Sequence, residues 1–491
     1  MKTTLRNRRS SAFETRFRFP KRIRGVVFCA LFSQVVTPAL QALDWTNSAS
    51  TFAWNLIDAN WSGAVWTNNS NAAFGASGFG TITASSSAVV NDITFYKSGF
   101  DIAGTLTLAD DGQSAINTNG FDATISAILS NGAGGATVLN KTGAGTLTLS
   151  GSNTYTSATI VGGGTLSVSS LANGGVASNI GASSNGDFAL QLKSGATLLY
   201  TGAGSTTNRS MMIDYAGTID ASGSGALVFS STGGLISTNT GAAANTSRTI
   251  TLTGANTGNN TIALKIGNPT GTGSPTTSLS KTGAGLWILS GANTYTGATT
   301  ISAGTFQVDG THAAGNGAYS ITGATLAGSG NIASSAGFVF GSSGVLTPGA
   351  AGAGNIGTLT LDGAVTASAA TTFNFDIGGA GNTYDILRLA SLNANNITLN
   401  LIDKGAYTWV LGDTLHLFET TSGANTSITG TFTAINNLPT LSGGLSWDTS
   451  SLYTDGFITV VTSSIPEAST YAAIFGSLAL AGAAIHRRRR S

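Results

Sequence analysis

The chain has 491 residues, of which only 9% are charged, while Gly occurs 67 times and Pro only 7 times. Its formal charge of +1 conceals an acidic body, because 9 of the 22 Lys and Arg lie before residue 25 and four more are Arg487–Arg490. Residues 43–466 keep 9 basic residues against 19 acidic ones, a balance near −10 that argues against nucleic-acid binding.

Residues 1–42 have the pattern of an export signal. A basic region, Lys2–Arg24, precedes an apolar stretch, Gly25–Val36, and small residues end at Ala42, where signal peptidase is expected to cut. The only cysteine, Cys29, lies inside this leader, so the cleaved chain would have neither disulfides nor cysteine metal sites. An uncut N-terminal membrane anchor is the alternative, although the apolar stretch is short for a span.

Residues 43–140 are predicted to form an N-terminal β-rich cap and the first coils. Four tryptophans, Trp45, Trp54, Trp61 and Trp66, lie among Asn and Gly residues near the start of this segment. One interpretation is that they cover the open end of a stack of strands, which would otherwise invite edge pairing. The other is that Trp54, Trp61 and Trp66 form a platform that contacts a glycan.

Residues 141–372 contain a long internal repeat, since Lys141–Val168 and Lys281–Val308 align without a gap. Within the first copy, Thr146–Leu149, Thr159–Val161 and Thr165–Val168 predict three short strands with one buried face, separated by glycine-rich turns. Three such strands predict one coil of a β-solenoid. A single coil buries its inner face only by stacking on its neighbours.

Both copies share Lys-Thr-Gly-Ala-Gly, Leu-Ser-Gly and Asn-Thr-Tyr-Thr, and these segments resemble the autotransporter-associated β-strand repeat of secreted, passenger-type bacterial β-helices. The resemblance implies an all-β chain folded as a right-handed parallel β-helix with capping regions. Asn153 and Asn293 take the same place in the two copies. They predict either an asparagine ladder at a solenoid corner or ordinary turn capping.

Residues 373–463 contain longer and more apolar runs, which predict the final β coils and a cap. These runs are Phe373–Ile377, Tyr384–Leu389, Ile397–Ile402, Tyr407–Leu411, Thr414–Phe418 and Phe457–Val461. The segment Leu445–Tyr453 resembles the one that closes many chains of this kind.

Residues 464–491 form a tripartite tail. Pro466, Glu467 and Ala468 precede an apolar stretch, Tyr471–Ile485, and a basic cluster. The basic cluster consists of Arg487, Arg488, Arg489 and Arg490. This order resembles the PEP-CTERM sorting signal, and the resemblance implies that an exosortase-like enzyme cuts near a Pro-Glu-Pro motif, although Ala468 replaces the second Pro. The apolar stretch is predicted to be a transmembrane helix with the arginines as a basic stop on the cytoplasmic side. A permanent anchor is the alternative to cleavage.

Few residues suggest chemistry. His312 lies in an expected loop, His416 is expected to face solvent, and Asp110 and Asp111 precede a Gly in an expected turn. Asp376 and Asp385 flank a glycine-rich loop and are expected to meet on one face, where carboxylates can bind calcium. Because no triad or zinc pattern is present, the chain is expected to be no enzyme, with no catalytic, metal or cofactor site.

The sequence therefore predicts an exported, non-enzymatic surface or extracellular-matrix protein with a structural or adhesive role. Transient anchoring in the inner membrane would precede its release to the cell surface or the medium. An extracellular polysaccharide is the partner considered. One alternative is a carbohydrate-binding adhesin with an aromatic N-terminal site, and another is a β-helical polysaccharide lyase or hydrolase.

Overall fold

The computed structural model describes residues 42–75, 79–186, 188–233, 245–313, 317–351, 355–378, 384–405, 407–421 and 428–463. The leader before Ala42, and the tail from residue 464 with its predicted transmembrane helix, lie outside the described residues. Within the described ranges, no helix is long and apolar enough to cross a membrane. These ranges form an all-β fold of 42 strands with one short 3-10 helix, Ser450–Leu452.

The strands are short and follow one another closely along the chain. The first fourteen are β1 (Leu43–Asp44), β2 (Ala53–Trp54), β3 (Ser70–Phe74), β4 (Gly80–Ala84), β5 (Val89–Phe95), β6 (Phe100–Leu108), β7 (Gln113–Asn117), β8 (Ala123–Ile125), β9 (Ile128–Asn131), β10 (Val138–Thr142), β11 (Thr146–Leu149), β12 (Thr159–Val161), β13 (Thr165–Val168) and β14 (Leu190–Lys193). The next fourteen are β15 (Ala196–Tyr200), β16 (Ala203–Thr207), β17 (Met211–Asp214), β18 (Ala216–Ala221), β19 (Gly225–Phe229), β20 (Arg248–Thr253), β21 (Asn260–Ile262), β22 (Thr277–Lys281), β23 (Leu286–Leu289), β24 (Ala292–Asn293), β25 (Thr299–Ile301), β26 (Thr305–Val308), β27 (Thr311–His312) and β28 (Tyr319–Ile321). The last fourteen are β29 (Thr325–Gly328), β30 (Asn331–Ala333), β31 (Phe338–Phe340), β32 (Gly344–Pro348), β33 (Thr358–Ala367), β34 (Thr371–Ile377), β35 (Ile386–Asn393), β36 (Ile397–Asp403), β37 (Thr414–His416), β38 (Phe418–Thr420), β39 (Ile428–Thr429), β40 (Ala434–Asn436), β41 (Leu445–Asp448) and β42 (Phe457–Thr462).

Most strands stack in three parallel ladders, which we call the first, second and third faces. The first face runs β1–β3–β5–β7–β10–β12–β14–β17. The second runs β2–β4–β6–β8–β11–β13–β15–β18–β20–β22–β25–β28–β31–β33–β35. The third is a 10-stranded sheet, β16–β19–β21–β23–β26–β29–β32–β34–β36–β40. Parallel ladders of this kind confirm the predicted β-solenoid, and its right-handed sense stays a prediction.

Successive coils use different faces. Strands β10 to β13 alternate between the first and second faces, whereas β14–β15–β16 and β17–β18–β19 each visit all three. From β20 to β36 most strands lie on the second and third faces, while β24, β27 and β30 form a further parallel ladder that continues onto β33. The second copy of the repeat is therefore displaced by one face, so that Lys141 lies on the first face and Lys281 on the second.

The strands of the first repeat have the predicted bounds, but the prediction that one repeat makes one coil is wrong. Thr146 of β11 pairs with Thr165 of β13, so these two strands are neighbours on one face in successive coils. Leu286 of β23 pairs in the same way with Thr305 of β26. Alternation reveals which side chains are buried, but it does not reveal which strands stack on each other.

The inward-facing residues of each ladder form columns. On the second face, Leu147, Leu166, Leu198, Ile219 and Leu252 stack in register, and each is fully buried. Burial of such a side chain contributes roughly 1.5–3 kcal/mol. The columns therefore hold the coils together, while the alternate residues point outwards.

One corner of each repeat requires glycine. Gly164 and Gly304 have φ angles of +62° and +63°. A Cβ atom on Gly164 would lie 2.5 Å from the Gly143 carbonyl oxygen, and one on Gly304 would lie 2.5 Å from that of Gly285. Both the backbone conformation and the close approach of the preceding coil exclude a side chain there.

The N-terminal edge of the third face is covered by residues 169–186. Leu171 N–H donates to Ser205 Oγ at 3.3 Å, and Thr207 Oγ1 donates to the Ala172 carbonyl at 2.9 Å. The buried Arg209 guanidinium donates to several carbonyls of this excursion, including that of Gly181 at 2.9 Å. An open strand edge is thereby protected from pairing with other chains.

The parallel ladders continue into the region that was predicted to form the C-terminal coils and cap. Two predicted boundaries, 140/141 and 372/373, fall inside β10 and β34, so the parallel ladders continue across them. After β36, the strands β37, β42 and β41 form an antiparallel sheet. His416 lies on β37 and is exposed, as predicted.

Candidate functional site: repeat corners and polar strand faces

The four N-terminal tryptophans form a buried cluster. Trp54 and Trp61 are fully buried, and Trp45 and Trp66 are 2% exposed. The ring centroid of Trp54 lies 4.8 Å from that of Trp61 and 4.9 Å from that of Trp66, in edge-to-face arrangements that extend onto Phe74. Sugar stacking needs an exposed ring face, so this geometry disagrees with the predicted glycan contact at Trp54, Trp61 and Trp66. It agrees with the alternative, a hydrophobic cap over the first coil.

Each copy of the repeat begins with a fully buried lysine, Lys141 or Lys281. Its ammonium donates to three backbone carbonyls at 2.7–3.1 Å, those of Thr142, Gly143 and Gly163 or those of Thr282, Gly283 and Ala303. Burial lowers the pKa of both lysines to about 8, and at Lys141 the charge of Asp122 opposes this effect. The carbonyl oxygens favour the charged form, so each ammonium supplies hydrogen bonds to the carbonyls of a buried corner.

The two equivalent asparagines connect successive coils. Asn153 Oδ1 accepts the Leu129 N–H at 2.8 Å, and Asn293 Oδ1 accepts the Ile266 N–H at 3.0 Å. Both side chains are buried. Neither of the two predicted alternatives describes this contact fully, because each amide satisfies the backbone of the preceding coil.

An asparagine ladder does occur, but on the third face. Asn400 Nδ2 donates to Asn374 Oδ1 at 3.1 Å, and Asn437 Nδ2 donates to Asn400 Oδ1 at 2.5 Å. The first two of these residues lie opposite each other on neighbouring strands. Amide ladders of this kind add hydrogen bonds along the stacking direction.

The tyrosines of the repeat end in buried hydroxyl pairs. Tyr155 Oη lies 2.7 Å from Thr159 Oγ1, and Tyr295 Oη lies 2.9 Å from Thr299 Oγ1. Burial raises the pKa of both phenols, so they remain neutral. Because each hydroxyl has a hydrogen-bond partner, burial of these polar atoms inside the solenoid costs little free energy.

His312 extends this network in the second copy. It was expected in a loop, but it lies on β27, is 2% exposed and stacks on the Tyr295 ring at 4.0 Å. Its Nε2 donates to the Tyr295 carbonyl at 2.6 Å, and its Nδ1 accepts from Tyr319 Oη at 2.6 Å. The loop expectation was wrong because parallel pairing with Asn293 makes a strand of a segment with no hydrophobic alternation.

Four aspartates of the early coils tie each coil to the next. Each carboxylate accepts a backbone N–H from the following coil, namely Asp92 from Ala115 at 2.8 Å, Asp101 from Ser126 at 3.1 Å, Asp110 from Gly134 at 2.6 Å and Asp122 from Thr146 at 2.8 Å. Asp110 and Asp111 lie in the bend between β6 and β7, as predicted. Part of the negative charge of the body therefore serves coil stacking.

The second face carries a continuous outward column of hydroxyls. Eight successive strands place a Thr or Ser at the same register position, in the order Thr146, Thr165, Thr197, Thr218, Thr251, Ser280, Thr300 and Ser320. All eight side chains are partly or well exposed. Because neighbouring strands are spaced by about 4.8 Å, the hydroxyls form a regular row across the coils.

Of the predicted processing sites at the two ends of the chain, only Ala42 lies among the described residues. Ala42 is exposed and directly precedes β1, and its role as the signal cleavage site stays a prediction. The predicted sorting motif and basic stop lie outside the described residues, and their roles stay predictions as well. These residues are Pro466, Glu467 and Ala468 of the motif, and Arg487, Arg488, Arg489 and Arg490 of the basic stop.

A predicted carboxylate pair lies within the described residues. The expected meeting of Asp376 and Asp385 is confirmed, since Asp385 Oδ2 accepts the Asp376 N–H at 2.8 Å. In the part of the chain that the structure describes, no group of three or more His, Cys, Asp or Glu is placed to hold a metal ion. The Asp385 carboxylate accepts backbone N–H groups of Asp376 and Gly357, and the Asp376 carboxylate forms an ion pair with Lys404.

Two features of the repeat were harder to find from the sequence. The buried lysines were missed, although their signal was present, because a Lys opens both copies in a chain that has few charges. The abundance of Thr and Ser suggested the hydroxyl column, but only the pairing of the strands shows which hydroxyls lie in one column.

Comparison with known families identifies the repeat. Residues 139–168 and 279–308 match the passenger-associated-transport-repeat family, PATR. These two matches begin two residues before the predicted copies and end at the same residues, and they contain both buried lysines and both Asn–Thr–Tyr segments. No curated protein matches the chain in sequence. The match suggests an exported β-helix protein that resembles an autotransporter passenger.

Proposed function

We propose that the chain is an exported, non-enzymatic surface or extracellular-matrix protein, structural or adhesive in role, that contacts an extracellular polysaccharide through its second face. The observation that carries the proposal is the row of eight hydroxyls from Thr146 to Ser320. Hydroxyls both donate and accept hydrogen bonds, as the hydroxyls of sugars do. A row repeated over many coils suits a long polymer better than a small ligand.

The negative charge of the body favours one class of polysaccharide over another. The body is acidic, near −10, so it repels polymers of uronic acids at moderate ionic strength. A neutral polysaccharide meets no such repulsion. We therefore expect binding that depends weakly on salt concentration.

Replacement of hydroxyls by methyl groups tests this role. The variant Thr197→Val, Thr218→Val and Thr251→Val keeps β-branched side chains but removes three adjacent hydroxyls. We expect its retention on immobilised neutral polysaccharides to fall at least tenfold relative to the unchanged protein. Equal retention of the two proteins would contradict the assigned surface.

A matched control lies on the third face. Thr325, Thr372 and Thr398 occupy one register column there, with Val345 between the first two. Their replacement by Val changes the same number of hydroxyls on a different face. It is expected to leave retention unchanged, and an equal loss would show that binding is not specific to the second face.

The proposal includes sorting through both ends of the chain. Signal peptidase would cut after Ala42, and an exosortase-like enzyme would cut near Pro466–Ala468 after transient anchoring of the apolar tail. The support is the order of motif, apolar stretch and arginines in the sequence. Intact mass of the protein from membrane and extracellular fractions tests it, because a membrane form still ending at Ser491 would contradict release.

The absence of catalysis is also part of the proposal. Its support is the scarcity of clustered ionisable groups outside hydrogen-bonded structural roles among the described residues. Incubation of the purified protein with neutral and uronic-acid polymers, followed by product sizing, tests it. A shortened polymer would favour the lyase or hydrolase alternative.

A further inference from the structure

An isolated group of ionisable side chains lies between two late coils. Lys404 Nζ is 2.8 Å from Asp376 Oδ1, and these side chains are 22% and 5% exposed. Asp385, which is fully buried, lies beside them. The hydroxyl row does not involve these residues.

The backbone holds the two partners in fixed positions. Asp376 belongs to β34 and pairs with Ile402 of the neighbouring β36. Lys404 directly follows β36, and its N–H donates to the Ile377 carbonyl at 2.7 Å. Both side chains therefore leave adjacent, hydrogen-bonded segments and converge on one point.

Asp385 fixes the end of β34, where Asp376 lies. Its Oδ2 accepts the Asp376 N–H at 2.8 Å, and its Oδ1 accepts the Gly357 N–H at 2.8 Å. The Asp385 N–H donates in turn to the Asp376 carbonyl at 2.9 Å. This arrangement leaves the Asp376 side chain little freedom to turn away from Lys404.

We propose that Lys404 and Asp376 condense into an intramolecular amide bond that joins β34 to β36 covalently, with Asp385 as a positioning residue. The site is a modification site within the chain itself. The reaction needs neither a cofactor nor a second protein, because both reactants are held together by the fold.

The reaction balances within the pair. Transfer of one proton from the Lys404 ammonium to the Asp376 carboxylate gives a neutral amine and a neutral acid. The amine lone pair attacks Cγ of Asp376 and forms the C–N bond. The C–O bond to the protonated oxygen then breaks, and that oxygen leaves as water with a second proton from nitrogen. An ammonium and a carboxylate thus become one amide and one water, with no change in net charge.

The fixed geometry of the pair favours this condensation. Fixed proximity replaces a bimolecular encounter, and effective molarities reach roughly 10⁵–10⁸ M for well-oriented groups.

Mass spectrometry of the full chain tests the bond. Arg388 is the only Lys or Arg between Asp376 and Lys404, so trypsin separates the two residues unless they are linked. We expect a branched peptide that contains both segments and has lost one water. Separate peptides of unaltered mass from the unchanged protein would overturn the proposal.

Three variants separate the bond from an ordinary ion pair. Lys404→Arg keeps the positive charge but is expected to give no branched peptide and a lower thermal midpoint. Asp376→Asn is expected to form the same branched product, because the amine then displaces ammonia instead of water. A branched peptide in Lys404→Arg, or none in Asp376→Asn with circular dichroism unchanged, would contradict the mechanism.

The third variant, Asp385→Ala, tests positioning. In folded protein, as judged by circular dichroism, we expect the linked fraction to fall at least tenfold. A merely structural contribution would lower the thermal midpoint and leave the linked fraction unchanged, and that result would remove Asp385 from the proposal.

Discussion

The two copies of the repeat show which parts of a passenger-type sequence belong to the repeat and which belong to its surroundings. Lys141 and Lys281 reach carbonyls at the same offsets, and the Tyr–Thr hydroxyl pair is the same in both copies. The corner glycines also coincide in φ to within one degree. These contacts lie within the repeat and its stacked coil, and they are therefore reproduced.

The surroundings of the two copies differ. The first copy lies on the first and second faces and packs against the excursion that Arg209 holds. The second copy lies one face further on and packs against His312 and Tyr319. The comparison teaches that the repeat specifies a corner with its hydrogen bonds, and that the intervening coils decide which way the corner faces.

The largest expected effect is the loss of a buried ammonium. Lys281→Met leaves three carbonyls without their donor and Lys141→Met leaves two, because Thr118 still donates to the Thr142 carbonyl; we expect each change to cost about 3 kcal/mol of local stability. Segment-resolved hydrogen exchange should show that protection falls around the substituted copy only. Equal loss of protection in both copies would indicate that the coils unfold as one unit.

A somewhat smaller effect should distinguish the asparagines. Asn153 also donates to the Asn179 carbonyl at 2.7 Å, whereas Asn293 donates to Gly291 within its own turn. We expect Asn153→Ala to cost about 2 kcal/mol and Asn293→Ala about 1 kcal/mol. Thermal unfolding of the two variants measures the difference, and the reverse order would contradict this account of the corner.

The tyrosine hydroxyls should differ by less. Tyr295→Phe removes contacts to Thr299 and Tyr319, while Tyr155→Phe removes one to Thr159. The expected costs are about 1.5 and 1 kcal/mol, respectively. Hydrogen exchange at β25 and β12 reads each site separately, with the unchanged copy in the same molecule as the control.

The smallest effect should appear only on mild acidification. Burial lowers the pKa of His312, so the unfolded chain takes up the proton first as the pH falls below about 6.5. The stability that neutral His312 contributes is complete above that pH and is lost as the pH falls through the lower pKa of the folded state. Exchange protection of the second copy should therefore decrease as the pH is lowered below about 6.5, while the first copy stays protected. His312→Gln should abolish this difference.

The sequence predicted the strands of the repeat well, because alternation and glycine turns are local signals. The bounds of β11, β12 and β13 follow directly from Thr146–Leu149, Thr159–Val161 and Thr165–Val168. It misassigned the coil, because the pairing of Thr146 with Thr165 depends on a stacking choice between distant segments. The shift by one face was not predictable for the same reason.

The candidate sites were less accessible to sequence reasoning. The tryptophans suggested two opposite roles, and only their packing against one another and Phe74 distinguishes burial from display. His312 has no local pattern that indicates a strand. The lysines that open both copies offered a usable signal, because a charge repeated at one position of an apolar column implies a specific set of acceptors.

The register of the ladders has a consequence for how the chain acquires its structure during export. Thr146 pairs with Thr165, Leu147 with Leu166 and Leu286 with Thr305, so ladder partners are close along the chain. Contacts between nearby segments close small loops and form quickly. A translocating chain can thus assemble coil by coil from its tryptophan-rich end, with each finished coil serving as the template for the next before the last segments have crossed the membrane.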